Sequence, residues 1–161
     1  MRALGGGDLV LEPQVAVHAP VLFAILHQPG LYDFLDEEPP LSLEEWTERV
    51  AGLERRRSPD GSEHWLNWAI VHRGEVVGFV QATVSGDAAM IAYLLGSAHW
   101  GAGLASSATA LMLDELKTGY GVRIASATVH ARNDRSIRLL QRLGFEERPV
   151  RTSDLKFEKT L

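Results

Sequence analysis

The chain has 161 residues, 45% hydrophobic and 23% charged, with a formal net charge of −5. That length and balance suit a single globular domain, spanning 1–161, with a core of its own, and the acidic excess argues against a nucleic-acid-binding surface. With no cysteine in the chain, disulfides, thiolate metal sites and an acyl-cysteine intermediate are excluded.

At the N-terminus, Gly5-Gly6-Gly7 offers no side chain to a core and a high backbone entropy, so residues 1–7 are expected to be disordered. No signal-peptide pattern follows Met1, and no apolar run reaches the roughly 18 residues of a membrane span. The expectation is a cytoplasmic protein without membrane contact. Leu9-Val10-Leu11-Glu12 predicts a strand ended by Pro13. An apolar helical pattern then runs from Val15 to Leu26, with Pro20 either beginning or kinking it, and Pro29-Gly30 stops it.

Residues 31–40 read as a loop or broken helix carrying Tyr32, Phe34 and four acids. Ser42, followed three residues later by Glu45, predicts a capped helix reaching about Arg57. The acids of this region can attract a cationic amine or simply form a solvated face. Three antiparallel strands are predicted next, at 65–72, 76–85 and 88–95, joined through Arg73-Gly74 and Gly86-Asp87. A helix over 104–117 buries one stripe through Leu104, Ala108, Leu111, Met112 and Leu116. A strand at 122–130, a short helix at 134–143 closed by Gly144, and two last strands near 145–149 and 155–159 complete the chain. The six histidines include no i, i+4 pair and no His-Glu-x-x-His, so no metal site is expected.

The stretch with chemical content begins at Trp100. Gly101-Ala102-Gly103 follows a strand and opens a helix, where the backbone can turn tightly and approach a ligand. The helix N-terminus presents unpaired N–H groups and a positive dipole end, which suits a phosphate or pyrophosphate. The run does not continue as Gly-Lys-Ser, which excludes a Walker loop. Ser106 or Ser107 stands where a dinucleotide fingerprint needs its third glycine.

Trp100-Gly101-Ala102-Gly103-Leu104-Ala105, with Asn133-x-x-Ser136 and Leu143-Gly144-Phe145 downstream, resembles the GNAT N-acetyltransferases, and within them the RimJ/RimL type. Three positions depart from the family's habits: Ala98 ahead of the loop, Glu12 after the first strand, and Leu140 where many members carry tyrosine. The resemblance implies an α/β (α+β) fold, a mixed, mostly antiparallel sheet with helices on both faces and a splayed pair of parallel strands, 88–95 and 122–130. It implies acetyl-CoA as cosubstrate and a primary amine, either a protein N-terminus or a small molecule, as acceptor.

By the same resemblance, the backbone of Gly101, Ala102, Gly103, Leu104 and Ala105 would cradle the pyrophosphate, with His99 and Trp100 beside it. The backbone of Tyr93, Leu94 and Leu95 would pair with the pantetheine arm. Asn133 and Ser136 would contact the arm, and Arg132 or Arg135 the 3′-phosphate. Ser136 is the expected catalytic residue for polarising or protonating the CoA sulfur; Tyr93 is the second catalytic candidate, a base as Gln81, Glu37 or Glu38 could be. Tyr32, Glu37, Trp68 and Gln81 are the candidate acceptor-site residues. The other function class compatible with these residues is a non-catalytic module that binds and senses acyl-CoA. An exposed edge strand makes a homodimer an open possibility.

Overall fold

A computed structural model describes residues 1–35, 38–149 and 154–161. In chain order the elements are β1 Leu4–Gly6, β2 Leu9–Pro13, α1 Ala19–Leu26, α2 Leu43–Leu53, β3 His64–His72, β4 Glu75–Ser85, β5 Ala88–Leu95, α3 Leu104–Tyr120, β6 Ile124–His130, α4 Asp134–Arg142, β7 Glu146–Arg148 and β8 Asp154–Thr160, with short 3₁₀ turns at Ala16–His18 and Ser97–His99. The strands form one sheet in the order β1-β2-β3-β4-β5-β6-β8-β7. All neighbours are antiparallel except β5 and β6. This is the mixed α/β fold anticipated.

Local chemistry accounts for most boundaries. Pro20 falls in the first turn of α1, where its missing N–H costs nothing, so it starts the helix rather than kinking it. Ser42 caps α2, its hydroxyl accepting from the Glu45 N–H at 3.1 Å. Gly86, at φ 59°, turns the hairpin between β4 and β5. The helix α3 runs past Gly119 and ends on Gly121 at φ 69°.

The N-terminus departs from expectation. Leu4–Gly6 pairs with β2, and Leu4 is buried in the main core. Two contacts outweigh the entropy of the glycines. Arg2 forms an ion pair with Glu115 of α3 at 2.7 Å, and the Arg2 carbonyl accepts the Trp68 indole N–H at 3.0 Å.

Alternation along the strands divides the side chains between two faces. Leu66, Trp68 and Ile70 of β3, with Val80, Ala82 and Ile91, pack under α3 and α4 against Met112, Leu116 and Leu140. On the other face Phe79 and Leu94 meet Leu22, Trp46 and Val50 of α1 and α2. Those two helices cover only part of that face. Gln81, Ala92 and Thr128 are exposed there, as are Met90 and Ile124, at 59% and 44%.

Candidate active site

The cleft begins where the sheet stops being a sheet. β5 and β6 pair only through Ala88–Ile124, Ala89–Ala125 and Met90–Ser126. Beyond Met90 the two strands part. The hairpin register puts Ser85 opposite Ala88, Thr83 opposite Met90, Gln81 opposite Ala92 and Phe79 opposite Leu94. Since the backbone of an antiparallel strand alternates sides, Leu94 turns its N–H and C=O toward β4, while Tyr93 and Leu95 turn theirs into the gap. The open edge of β5 is therefore at Tyr93 and Leu95, and Leu94 contributes its place in the wall. Gly78 keeps β4 tight against β5 here, for a Cβ would run into the Leu94 carbonyl oxygen.

A cavity of ≈ 480 Å³ fills the gap. It is lined by Tyr93, Leu94, Leu95, His99, Trp100, Gly101, Gly103, Leu104, Ala105, Asn133, Arg135 and Ser136, so most of the sequence-expected cofactor residues converge on one site. Ala102 is exposed at the tip of the loop and outside that lining. Gly101 and Gly103 stand at φ 82° and 78°, a region that L-residues other than glycine enter at a cost. Gly103 is the N-cap of α3 and brings no side chain to it. The first-turn N–H groups of a 17-residue helix therefore open on the cavity with no capping group.

Charge in the cleft runs against that of the chain. Among the described residues lining it, the permanently charged side chains are Arg135, Arg138 and Arg142, all on one face of α4, and none is acidic. The Arg135 guanidinium lies over the Trp100 ring, 3.6 Å from its centroid. The Trp100 indole N–H donates to the Leu95 carbonyl at 2.9 Å.

At the inner end, Asn133 caps α4, its Oδ1 accepting from the Ser136 N–H at 3.2 Å. The Ser136 hydroxyl is half-buried at the cavity wall and makes no hydrogen bond to a described residue. The Tyr93 hydroxyl donates to the Ser136 carbonyl at 3.4 Å. Burial pushes the Tyr93 phenol up to about 12, which keeps it protonated and a hydrogen-bond donor near neutral pH.

The acceptor-side expectations fare differently. Trp68 is fully buried on the α3 face and belongs to the core, with its N–H held by Arg2. That position was a misassignment: β3 lies two strands away from the gap. Tyr32 packs on the cluster beneath α1 and α2 and is not part of the cleft lining. Gln81 is exposed on the open sheet face next to Ala92, just outside the cleft. Glu37 lies outside the described residues. Arg132 is exposed and does not line the cavity; its backbone N–H donates to His130 Nδ1 at 3.2 Å.

Residues that sequence reasoning missed complete the walls: Leu31, Phe34 and Leu35 from the loop after α1, and Thr128 and His130 at the end of β6. Phe34 and His130 bring their rings to 5.6 Å. The aromatic loop was visible in sequence as a feature without a partner. Arg138 and Arg142 were legible in principle, since they follow Arg135 at helical spacing. Among the described residues no group of three or more His, Asp or Glu side chains could hold a metal ion, and no helix is long and apolar enough to cross a membrane.

The Acetyltransferase (GNAT) domain profile matches residues 8–146. The chain belongs to the GNAT family. Solved structures agree with this fold. RimL, the ribosomal L7/L12 alpha-N-protein acetyltransferase, in complex with coenzyme A, superposes with a TM-score of 0.84 at 18% identity, covering 97% of this chain and 96% of that one. Mycobacterium smegmatis RimJ, in complex with CoA-disulfide, gives 0.84 at 23% identity, covering 98% and 87%. The microcin C7 self-immunity acetyltransferase MccE, in complex with acetyl-CoA and AMP, gives 0.82 at 14%, covering 97% and 94%. No curated protein matches the chain in sequence. The splayed β5–β6 pair is the feature of the sheet that the GNAT resemblance anticipated.

Proposed function

We propose that this GNAT protein transfers an acetyl group from acetyl-CoA to a primary amine, of a protein N-terminus or a small molecule, by direct attack in a ternary complex. The observation that carries this is the convergence, in one cleft, of an uncapped helix N-terminus, an open strand edge and, among the described residues, permanently charged side chains that are all arginines. The fit to the cosubstrate is chemical. A pyrophosphate needs N–H donors and positive potential, which the Gly101–Ala105 backbone and Arg135 supply. A pantetheine arm carries amides, and the Tyr93 backbone with the Leu95 N–H offers it an open strand edge.

The thioester supplies the activated carbonyl. The amine must arrive uncharged, attack that carbon and lose a proton; the C–S bond then breaks and the sulfur takes a proton. The unengaged Ser136 hydroxyl is the donor placed for the sulfur. The Tyr93 phenol, kept protonated near neutral pH by its burial, supports it through the Ser136 carbonyl and fixes the first turn of α4. An α-amine, with a pKa near 7.7–8.0, is already partly neutral at pH 7 and needs only weak base assistance. A lysine-type amine would need more, and His130 is poorly set to give it: with Nδ1 accepting the Arg132 N–H, neutral His130 carries its proton on Nε2.

The open sheet face beside Ala92, through Gln81, Met90 and Ile124, gives a polypeptide acceptor room to extend beyond its amine. Calorimetric titration with acetyl-CoA, followed by thiol release over a panel of N-terminal peptides and small amines, tests the whole reading. Binding with turnover supports it, and the best amine names the acceptor class. Binding without turnover on any amine favours the acyl-CoA-sensing alternative, and no binding at millimolar acetyl-CoA removes both.

A further inference from the structure

The cleft has two lips. One is the loop after β5, carrying Trp100; the other is the first turn of α4 after β6, carrying Arg135. The cation–π contact at 3.6 Å spans them. On one lip the ring is tethered: its N–H donates to the Leu95 carbonyl. On the other lip no described carboxylate pairs with Arg135, whereas its neighbour Arg138 reaches Asp134 at 3.9 Å. A guanidinium held by its face keeps its planar N–H edge for acceptors, a geometry that lysine cannot copy. Among the described residues lining the cavity the permanently charged side chains are all arginines, beside the positive end of α3, so anionic oxygens are the acceptors this lining leaves to a ligand.

We propose that Trp100 is a platform holding Arg135 across the mouth of the cleft to read the phosphates of the cosubstrate's nucleotide end. The cleft then selects the phosphorylated thioester over the acyl-pantetheine arm alone. This rests on the acetyl-CoA reading above and adds a specificity-determining pair to it.

The test measures affinity by calorimetry for acetyl-CoA, acetyl-dephospho-CoA and S-acetylpantetheine, in the wild type and in R135Q, R135K, W100L and W100F. R135Q is expected to weaken acetyl-CoA about tenfold, the loss of roughly one charge-assisted contact, and to leave S-acetylpantetheine unchanged. W100L should reproduce that pattern although its charge is untouched. W100F, which keeps an aromatic face, should retain most of the affinity, and R135K should restore only part. An equal loss for the dephospho ligand assigns the contact to the pyrophosphate; a loss confined to acetyl-CoA assigns it to the 3′-phosphate.

Wild-type affinity in R135Q, or an equal weakening of S-acetylpantetheine, overturns the proposal. If W100L melts early, the R135Q and R135K pair decides alone. Failure of the wild type to bind acetyl-CoA is a different result, which removes the function reading itself.

Discussion

Ser136 and Trp68 show how differently one side chain can be legible. Ser136 was placed by a motif whose helix-capping logic is local: Asn133 caps α4 and brings the serine three residues on to the cleft wall. Ser136→Ala is expected to lower turnover by about ten- to a hundredfold, the low end of a positioned proton donor's contribution, with acetyl-CoA affinity unchanged within a factor of two. Stopped-flow thiol release beside calorimetry separates the two quantities. Trp68 looked like a pocket aromatic because a strand residue's face depends on register, which a sequence leaves open. Its burial predicts that Trp68→Ala costs about 3–5 kcal/mol of stability by denaturant titration. The acceptor KM should not change in whatever fraction stays folded.

At the scale of elements, the hairpins and both cleft helices were readable because each boundary carries its own chemistry, in Gly86, Gly103 and Asn133. What stayed hidden depends on partners far along the chain. β1 exists because Arg2 finds Glu115, and the loop after α1 becomes a wall because Phe34 finds His130. The helix α3 carries one local flaw: Thr109 is fully buried and its hydroxyl finds no hydrogen-bond partner among the described residues. Thr109→Val keeps the shape and removes the stranded polar group, so it should stabilise the protein by about 1 kcal/mol, read as a raised melting temperature. Gly103 presents the opposite case. An alanine Cβ there meets nothing, yet φ 78° opposes it, so Gly103→Ala should cost about 1–2 kcal/mol through the backbone alone. A bulkier residue would intrude on the cavity that Gly103 lines as well.

For the whole molecule, the family and the mixed sheet could be recognised from short motifs in the right order, while the acceptor could not. The strand face and loop proposed for the acceptor carry no spacing rule to mark them. Stability should fall in alkali, because the Tyr93 phenol is pushed up to about 12 by burial. The unfolded chain ionises near pH 10, so it gains from ionisation first, and stability is lost as pH rises from about 10 to 12. A denaturant midpoint that stays flat over that range would contradict the burial of this hydroxyl. Deleting residues 1–7 removes Leu4 from the core and leaves the Glu115 carboxylate buried without Arg2. A fall in melting temperature of several degrees is the expected outcome.

The three-pair seam between β5 and β6 has one more consequence, for the clock kept by amide protons. Sheets ordinarily trade deuterium from their rims inward, since outer strands lack a neighbour. This one should trade from its middle. The Tyr93 and Leu95 amides, deep in chain order and fifth of eight strands, face an opening and should exchange early, while those of β4 beside them stay protected. A ligand arm that lies along that opening would act as the missing strand, slow those two amides first, and tie β1–β5 to β6–β8 into a single cooperative unit.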